Sequence, residues 1–408
     1  MKHLRRTLLS PYHFAWAFFS AVYYGFPAKK LTVIGVTGTK GKSSVAEMLF
    51  DVLNTKHKTA LAGTIRFAVG NESKPNLFKM TLPGRGFIQQ FLAEAVKKGA
   101  THAVIEITSE STLQYRHTFL YLDALIFTNL EPEHIESHGS MEKYFQAKFE
   151  IGKSLLRSSK RPRAIISNIE SIYGRRFFSL PVETSIPYQF VDAAQTHITD
   201  EHVAFTYENH VFRVPQPGRF SVMNSLAVIK TAKWLGLSFT DIAEALKTIT
   251  TIPGRAERIE AGQDFAVVVD YAHTPESLRA LYDAFGSKRK ICVLGNTGGG
   301  RDTWKRPLMG SIADEMCDQV FLTNEDPYDE DPEAIVNAMA NGMERAPTII
   351  MDRREAIRAA LKAAGTGDAV LITGKGTDPY IMGPHGTKTP WSDARVAHEE
   401  LLLLLQKP

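Results

Sequence analysis

A short apolar strand, a glycine-rich loop and a helix follow one another early in the chain, and this unit limits the fold most. Residues 31–38, LTVIGVTG, form a β-branched run that ends in glycine. Residues 43–53 come next and carry apolar side chains at helical spacing. Glycines allow backbone N–H groups to approach phosphate oxygens at the N-terminus of a helix. The unit therefore predicts a phosphate-binding loop in an α/β protein.

The loop offers a continuous set of candidate nucleotide contacts. They are Gly38, Thr39, Lys40, Gly41, Lys42, Ser43 and Ser44. We expect Lys42 to reach the outer phosphates of a nucleotide and the hydroxyl group of Ser43 to bind Mg²⁺. Val36 replaces a glycine of the usual pattern, and a turn that binds nothing is the alternative interpretation. The strand, the helix and the Gly-Lys-Ser register favour a nucleotide site, which suits a ligase, a kinase or a motor protein.

Short β-branched runs alternate with helical segments along the rest of the chain. The first runs are 102–108, 123–130 and 163–168, and a helix near Val222 then leads to a Pro-Gly pair at 253–254. Further runs lie at 265–272, 290–296, 319–324, 348–352 and 369–374. Such alternation is typical of mostly parallel sheets covered by helices. We predict an α/β fold with a short aromatic N-terminal segment at 1–30, a P-loop ATPase domain with a mostly parallel sheet at 31–253, and a smaller doubly wound α/β domain at 254–408.

The composition is that of a globular protein, with 44% apolar and 23% charged residues. The formal net charge of +4 is spread along the chain and gives no reason to expect nucleic acid as a partner. The two cysteines, Cys292 and Cys317, form no recognisable metal or redox motif. We interpret them as reduced, buried thiols, which predicts a cytoplasmic protein.

The first thirty residues combine basic ends with an aromatic centre. The uncharged stretch at 7–28 has basic residues on both sides, namely Lys2, Arg5, Arg6, Lys29 and Lys30. Its length and its flanks resemble a signal or a membrane anchor, but Pro11, several tyrosines and a low aliphatic content argue against a span. We expect this segment to dock on its own domain. Attachment to a membrane surface is the second interpretation, and a span is the third.

Two further segments place candidate catalytic groups at strand ends. Glu106 lies in the run at 102–108, at the sheet edge where ligands of open α/β sheets bind. His134 follows another strand end, and Lys148 lies on a probable helix that closes the segment 128–148. A carboxylate and an imidazole are suitable ligands for a divalent cation. A surface glutamate and a helix-capping histidine would be the preferred interpretation for either residue alone.

With these segments in place, the chain resembles the Mur ligases, the ATP-dependent amide-forming enzymes of peptidoglycan assembly. The resemblance is greatest to the branch that adds the third residue of the stem peptide, and it covers nearly everything from Leu31 onward. The motifs follow the family's order: TGTKGKSS (37–44), TNLEPEHIESHGSMEKYFQAK (128–148), GRFSVMNSLA (218–227), IPGRAER (252–258), DYAHTPESL (270–278), GGGRDTWKRPLMG (298–310) and GKGTDPY (374–380). Several motifs in one order are far more specific than a single phosphate loop.

The resemblance implies a catalytic apparatus that uses ATP and two Mg²⁺ ions. Lys42 and Ser43 would hold the ATP phosphates and one Mg²⁺, and Glu106 and His134 would bind the second. Lys148 matches the lysine that family members carry as a carbamate formed with CO₂, and we count it with the metal-site residues. The acceptor carboxylate would attack the γ-phosphate, and the incoming amine would then displace phosphate from the acyl phosphate.

The resemblance also implies three groups of binding residues. Positions that contact adenine and ribose, or that close the C-terminal domain over ATP, match Asn224, Arg255 and Asp270. Positions that hold the sugar–peptide acceptor match Thr81, Thr108, Gln114 and Arg116. Positions that hold the incoming amino acid match Arg301, Glu325, Asp326, Tyr328, Gly374 and Asp378.

The chain departs from the family's pattern in two respects that affect its substrates. About thirty residues precede Leu31, too few for the N-terminal domain that grips the UDP part of the acceptor in family members. The selector for meso-diaminopimelate, Asp-Asn-Pro-Arg in the family, reads EDPY at residues 325–328. A phenol cannot form the bidentate charged pair of a guanidinium. Lysine or another diamine therefore competes with diaminopimelate, and a lipid-linked or smaller acceptor competes with a UDP-linked one.

Two other functions compete with that of a ligase of the cell-wall branch. One is a related ligase that acts on folate or on poly-amino-acid chains. The other is a nucleotide-binding regulatory module without chemistry, which is disfavoured because Lys42, Ser43, Glu106, His134 and Lys148 are all present. The resemblance further suggests a monomer with small-molecule substrates. We expect it in the cytoplasm, or peripherally at the inner face of the membrane through its aromatic N-terminal stretch.

Overall fold

The computed structural model describes residues 2–78, 80–84, 86–133, 139–249, 251–300 and 302–406, with side chains from residue 11 onward. The chain divides into two compact units. Unit 1 consists of Met1–Thr196, Ala204–Val214 and Ser221–Ile249, and unit 2 consists of His197–Val203, Pro215–Phe220 and Thr250–Pro408. The main change of unit after Ile249 lies close to the domain boundary expected after residue 253.

Unit 1 is built on an eight-stranded sheet. Its strands are β1 Thr32–Thr37, β2 Thr59–Ala62, β3 Arg66–Val69, β4 Glu72–Pro75, β5 His102–Glu106, β6 Ala124–Phe127, β7 Ala164–Asn168 and β8 Thr184–Tyr188. They lie in the order β4-β3-β2-β5-β1-β6-β7-β8. The run from β2 to β8 in that order is parallel, as predicted. The two edge strands β3 and β4 are antiparallel and were not predicted.

Helices cover both faces of this sheet, because its central strands are apolar on both sides. The helices of unit 1 are, in chain order, α1 Lys2–Tyr23, α2 Lys42–Asn54, α3 Phe87–Lys97, α4 Ser109–Leu113, α5 Met141–Leu156, α6 Ile172–Phe178, α7 Gly218–Trp234 and α8 Phe239–Lys247. Serine side chains accept a backbone N–H at the start of three of them, namely Ser140, Ser171 and Ser238. A small sheet, ordered β11-β10-β9, is formed by β9 Ala194–Ile198, β10 Val203–Tyr207 and β11 His210–Val214.

The N-terminal helix α1 packs on unit 1 through aromatic side chains. The ring of Phe14 is 5.6 Å from that of Tyr115, and the ring of Phe18 is 5.9 Å from that of Phe119. The preferred interpretation, docking of this segment on its own domain, is therefore confirmed. Among the described residues no helix is both long enough and apolar enough to cross a membrane.

Unit 2 is a smaller α/β unit. Its strands are β12 Glu257–Arg258, β13 Ala266–Asp270, β14 Lys290–Leu294, β15 Gln319–Leu322, β16 Thr348–Ile349 and β17 Ala369–Thr373, followed by a hairpin of β18 Tyr380–Met382 and β19 Lys388–Pro390. The sheet order is β12-β13-β17-β14-β15-β16, and all pairs but the first are parallel. The helices are α9 Pro275–Asp283, α10 Lys305–Met316, α11 Pro332–Ala340, α12 Arg353–Ala363 and α13 Asp393–Leu405.

The two cysteines are bonded to each other, so the interpretation as reduced thiols is wrong. Cys292 lies in β14, and Cys317 directly follows α10. Their Cα atoms are 6.3 Å apart, within the range that a disulfide spans. The two cysteines are 25 residues apart in the sequence, and this separation does not reveal that the end of α10 lies next to β14. The cysteines therefore give no support for a reducing compartment.

A buried ion pair joins α12 to α13 in unit 2. The guanidinium group of Arg353 donates two hydrogen bonds, of 2.8 and 2.7 Å, to the carboxylate of Asp393. The two side chains are 1% and 0% exposed. The same guanidinium donates to the carbonyl oxygen of Thr373 at the end of β17, and Trp391 donates its indole N–H to Asp393. These bonds satisfy both charges and fix the two helices at the end of the sheet.

Replacing Arg353 with methionine should lower the free energy of unfolding by about 3 to 5 kcal/mol, because Asp393 would stay buried without its counter-charge. Urea unfolding followed by circular dichroism measures this loss. Arg279→Met is the matched control, since Arg279 pairs with Glu315 at 2.8 Å on the solvent-exposed surface of the same unit. Solvent screens exposed pairs, so the control should change stability far less. Equal losses would show that burial does not set the contribution of the first pair.

Candidate functional site

The phosphate loop joins the end of β1 to the start of α2. Gly38 has a φ angle of +147° and Gly41 one of +78°, both in the region that favours glycine. A Cβ atom at Gly38 would lie 1.9 Å from Oγ1 of Thr128, and one at Gly41 would lie 2.5 Å from Oδ1 of Asn224. Glycine is therefore required at both points, as expected of a loop that binds phosphate through its backbone. Asn224, a predicted nucleotide residue, stands directly beside this loop.

Residues that follow β6 hold the loop in place, and no role is predicted for them from the sequence. Asn129 accepts the N–H of Thr39 through its backbone carbonyl at 2.9 Å, and that of Lys40 through its side-chain oxygen at 2.8 Å. The hydroxyl group of Thr128 donates to the carbonyl oxygen of Lys40 at 2.6 Å. Strands β1 and β6 are parallel neighbours, so their carboxyl ends meet. That adjacency is the signal by which the pair at 128–129 could have been found.

Ser43 and Glu106 lie side by side at the carboxyl edge of the sheet. The hydroxyl oxygen of Ser43 is 3.1 Å from each carboxylate oxygen of Glu106, which is 2% exposed. Thr64 donates its backbone N–H to that carboxylate at 2.9 Å, and its hydroxyl group is 2.7 Å from that of the predicted acceptor residue Thr81. A hydroxyl and a buried carboxylate are the hard oxygen ligands that suit Mg²⁺. The predicted ligand His134 lies outside the described residues, which hold no cluster of three or more His, Cys, Asp or Glu side chains around a metal site.

Lys148 is enclosed beneath the phosphate loop. It lies on α5 and is 2% exposed, and its Nζ atom donates a hydrogen bond of 2.7 Å to the carbonyl oxygen of Gly38. The same atom lies 4.8 Å from the centroid of the Tyr144 ring. Burial, and then the positive charge of Lys42, lower the pKa of Lys148 well below its usual value, against the opposing charges of nearby glutamates. This environment favours the neutral amine.

The remaining loop residues add positive charge around the same point. The ammonium group of Lys42 donates to the carbonyl oxygen of Thr39 at 2.8 Å. The ammonium group of Lys40 lies 3.4 Å from the carboxylate of Glu133. Ser44 is half-buried in the first turn of α2. The loop thus combines two lysine side chains with the N-terminus of a helix, which is a favourable setting for an anion.

The other predicted acceptor residues lie just before and just after α4. Thr108 accepts the N–H of Ser111 and so caps this short helix. Arg116 donates to the side chain of Gln114, and it also donates to the carbonyl oxygen of Leu82 at 2.5 Å. The second bond ties the segment after α4 to the segment that contains Thr81. The structure therefore brings all four predicted acceptor residues to one region of unit 1.

In unit 2, two predicted nucleotide residues lie around the turn after β13. The carboxylate of Asp270 accepts the backbone N–H groups of Ala256 and Ala272, both at 2.6 Å. The guanidinium group of Arg255 lies 4.8 Å from the centroid of the Tyr271 ring. Asp270 thus holds the backbone next to Arg255 through its hydrogen bond with Ala256. The contact of either residue with ATP stays a prediction.

Four of the predicted amino-acid-binding residues surround the buried Lys375. Its ammonium group is 2.8 Å from the carboxylate of Asp326 and 3.7 Å from that of Asp378. Glu325 is buried beside Gly374, where a Cβ atom would lie 2.2 Å from a carboxylate oxygen of Glu325. Burial raises the pKa of Glu325 to about 7, although the charge of Lys375 opposes this effect. Lys375 had no predicted role and is the centre of this cluster.

The fifth described residue of that group, Tyr328, lies in a turn. Its φ angle is +53°, and its backbone N–H donates to the carbonyl oxygen of Met382 at 3.0 Å. A Cβ atom at Gly299 would lie 3.6 Å from the phenol ring. Arg301, which follows the same glycine-rich segment, lies outside the described residues.

Comparisons with known proteins agree with this arrangement. The Mur ligase middle domain matches residues 36–232, and the Mur ligase, glutamate ligase domain matches residues 254–376. The UDP-N-acetylmuramoyl-L-alanyl-D-glutamate--2,6-diaminopimelate ligase of Gloeobacter violaceus is 37% identical over 400 residues, which cover 94% of this chain and 79% of that protein. The ligase of the same name from Aquifex aeolicus is 33% identical over 391 residues, which cover 93% and 79%.

Solved structures show the same relationship. A structure of a UDP-N-acetylmuramoyl-L-alanyl-D-glutamate--2,6-diaminopimelate ligase matches with a TM-score of 0.63 and 27% identity over 92% of this chain and 79% of its own. The folylpolyglutamate synthase of Mycobacterium tuberculosis, with a TM-score of 0.71, 15% identity and coverage of 88% and 91%, shares the fold. The predicted α/β fold is confirmed. With a phosphate loop, a Ser–Glu pair and a buried lysine at one sheet edge, and with these similarities over most of its length, the chain belongs to the Mur ligase family.

Proposed function

We propose that this ATP-dependent ligase joins an amino acid to the terminal carboxylate of a muramoyl-dipeptide in the synthesis of peptidoglycan precursors. The family uses ATP and Mg²⁺. The proposal rests on the contact of Ser43 with Glu106 beside the phosphate loop. Thr64 contacts both Glu106 and the predicted acceptor residue Thr81, and so links this pair to the acceptor residues. The names of the curated relatives support this choice of acceptor and amino acid.

The reaction has two steps. An oxygen of the acceptor carboxylate attacks the γ-phosphorus of ATP, and the bond between this phosphorus and the β,γ-bridging oxygen breaks. ADP departs, and the acceptor is now an acyl phosphate. The amine nitrogen then attacks the acyl carbon, a proton is lost, and inorganic phosphate leaves with the electron pair of the broken bond. Lys42 and Lys40 place positive charge where negative charge develops. Bound Mg²⁺ would neutralise phosphate charge, and Ser43 and Glu106 are the described residues that would hold it in the two sites we expect.

Lys148 is proposed to act as a carbamate. The lone pair of the neutral amine attacks the carbon of CO₂, the N–C bond forms, and one amine proton is released. The lowered pKa of Lys148 supports this step, because a protonated amine has no lone pair to offer. The product is an anion among the cations of Lys40 and Lys42, which lower the cost of burying its charge.

Lys148→Ala should reduce turnover by at least about a hundredfold, the usual cost of removing a group that stabilises the transition state. Phosphate release from ATP in the presence of acceptor and amino acid measures the loss. Short-chain carboxylates such as propionate should partly restore activity by supplying the missing anion. Lys153→Ala is the control, since Lys153 lies on the same helix and pairs with Glu150 at its exposed side. Full activity of Lys148→Ala would exclude the carbamate role.

The amino acid that is added depends on the cluster around Lys375. The carboxylate of Asp326 stands where the family's selector has an amide, and it is already bound by Lys375 at 2.8 Å. Tyr328 stands where the selector has an arginine. Lys375 already balances the charge of Asp326, so the phenol makes the difference. It offers no charged pair to a distal carboxylate, and it therefore favours an amino acid whose distal end carries only an amine over one that also carries a carboxylate there. We therefore propose lysine or a similar diamine as a substrate beside meso-diaminopimelate.

Tyr328→Arg should raise the use of meso-diaminopimelate relative to lysine, because a guanidinium group binds a carboxylate through two parallel hydrogen bonds. The ratio of kcat/KM values for the two amino acids is the quantity to measure, and we expect an increase of about tenfold or more, as for one charge-assisted contact. Tyr328→Phe removes the hydroxyl group without adding charge and should leave the preference between the two close to that of the original protein. An unchanged ratio in Tyr328→Arg would place the selector elsewhere.

Two carriers for the acceptor, UDP and a lipid, are compatible with the acceptor residues of unit 1. We propose a cytoplasmic monomer that contacts the inner face of the membrane through its N-terminal segment, on the basis of the exposed Lys29 and Lys30 and of the exposed rings of α1. A regulatory module without chemistry is disfavoured, because the buried Glu106 and Lys148 occupy the positions that the chemistry needs. A ligase for folate has the support of a shared fold alone.

The decisive experiment is phosphate release from ATP with Mg²⁺ and bicarbonate over a matrix of substrates. The acceptors are UDP-linked, lipid-linked and unlinked muramoyl-dipeptides, and the amines are diaminopimelate, lysine and ornithine. Release that needs both an acceptor and an amine, with an amide in the mass of the product, is the expected result. Release with none of these combinations, by a protein that still binds ATP, would contradict the proposed function.

A further inference from the structure

Helix α1 turns a stripe of aromatic rings away from unit 1. Tyr12, Trp16, Phe19 and Tyr23 recur at intervals of three or four residues, which places them on one face of the helix. They are 48%, 44%, 66% and 81% exposed, whereas Ala21 on the opposite face is 0% exposed. A surface helix of a globular protein normally turns polar side chains outward. The pattern of this aromatic stripe is the reverse.

The chain around the aromatic stripe is basic. The first acidic residue of the whole sequence is Glu47. Lys29 and Lys30 are exposed shortly after the end of α1. Tyrosine and tryptophan have an apolar body and a polar tip, and they are enriched where a protein meets the headgroup region of a bilayer. Aromatic rings next to basic groups are typical of helices that lie in an anionic membrane interface.

A second exposed apolar surface lies between β4 and α3. Leu77, Phe78 and Met80 are 56%, 52% and 41% exposed. The buried amide of Asn76 fixes this apolar loop, because it donates to the carbonyl oxygens of Gly63 and Met80, both at 2.9 Å. The same side chain accepts the N–H of Phe78 at 3.0 Å. The exposure of these side chains is therefore built into an anchored turn.

The apolar loop and helix α1 both contact the segment that carries the predicted acceptor residue Arg116. On one side, the sulfur atom of Met80 is 3.4 Å from Nη1 of Arg116. On the other side, the ring of Phe14 in α1 packs on the ring of Tyr115 at 5.6 Å. His13 in α1 also lies close enough that burial, and then the charge of Arg116, lower its pKa. The acceptor segment thus lies between the apolar loop and the helix with the aromatic stripe.

We propose that the aromatic stripe of α1 and the apolar loop together form a docking surface for an anionic lipid bilayer. The helix lies along the surface with its rings among the headgroups, and the lysines after it face the lipid phosphates. The docking surface would also hold the acceptor segment at the lipid surface, and this part of the inference rests on the proposed function. An acceptor anchored in the same bilayer then reaches Arg116 without leaving that surface.

A lipid surface fits this face better than a second copy of the chain does. In a two-fold dimer the aromatic stripe would meet itself. The exposed lysines that follow α1 would then approach those of the other copy. Like charges at an interface oppose association, whereas anionic headgroups complement them.

The test is binding of the full-length protein to vesicles in the absence of substrates. We expect sedimentation with vesicles of phosphatidylglycerol and phosphatidylcholine, weaker binding at high salt, and little binding to phosphatidylcholine alone. The double variant Phe19→Ser/Tyr23→Ser should weaken binding by at least about tenfold, because two apolar groups lose their burial in the interface. Val191→Ser/Val211→Ser is the matched control, since these side chains are 77% and 70% exposed on other elements of unit 1. It should bind as the original protein does.

Fluorescence tests the orientation of the helix independently. Trp16 lies in the aromatic stripe, so brominated phosphatidylcholine in the anionic vesicles should quench tryptophan emission on binding. Trp16→Phe should still bind the vesicles, since one ring replaces another, and should lose this quenching. Quenching that persists in Trp16→Phe would show that another face of the protein contacts the lipid, and would overturn the proposal.

Two further results would also overturn it. One is binding that is equally strong in Phe19→Ser/Tyr23→Ser and in the original protein. The other is that light scattering shows a dimer of the original protein and a monomer of the same variant, while the original protein does not bind vesicles. Ligase activity is measured separately, without vesicles and with a soluble acceptor. Vesicle binding without ligase activity would contradict the proposed function alone, and ligase activity without vesicle binding would contradict the docking surface alone.

Discussion

Beneath the phosphate loop, the buried amine of Lys148 donates a hydrogen bond of 2.7 Å to the carbonyl oxygen of Gly38. A lysine amine can be buried only where its polar group has a partner, and here the partner is the loop itself. The loop can pass this close because Gly38 has no side chain, and Thr128 occupies the space that a Cβ atom would need. The loop and the lysine therefore require each other. A change at either place would alter the loop that we predict to bind the ATP phosphates.

The order of the strands explains why the other groups gather around this contact. Strands β5, β1 and β6 are adjacent and parallel, so Glu106, the phosphate loop and Thr128 emerge at one edge of the sheet. Residues distant in sequence thereby come within hydrogen-bonding distance, as Ser43 and Glu106 do. Strand order thus decides which side chains can act together, and the helices that follow the strands decide how far each one is buried.

Much of this arrangement was readable from the sequence, and the limits have physical causes. The runs around β1, β5, β6 and β13 were predicted because buried parallel strands are continuously apolar. The phosphate loop was predicted because glycines and a Gly-Lys-Ser sequence between a strand and a helix are typical of phosphate binding. The antiparallel edge at β3 and β4 carries no such run and was missed. Lys375 and Asn129 were also missed, because their roles depend on partners across the sheet. The cysteines were wrongly predicted to be reduced for the same reason, since the pairing of two cysteines depends on their distance in space.

The aromatic segment after α4 shows how the N-terminal helix and the acceptor residues are connected. Tyr115, Phe119 and Tyr121 have φ angles of +52°, +63° and +45°, which bulky side chains rarely adopt. Such a backbone persists only where its surroundings over-determine it. Phe14 packs on Tyr115 and Phe18 packs on Phe119, so the inward face of α1 supplies part of that constraint. The helix therefore stabilises the backbone of the segment that carries the predicted acceptor residues Gln114 and Arg116, while its outward rings remain exposed. Because the same helix carries both faces, a bilayer bound to its outer rings, as proposed, would also hold the segment with the predicted acceptor residues.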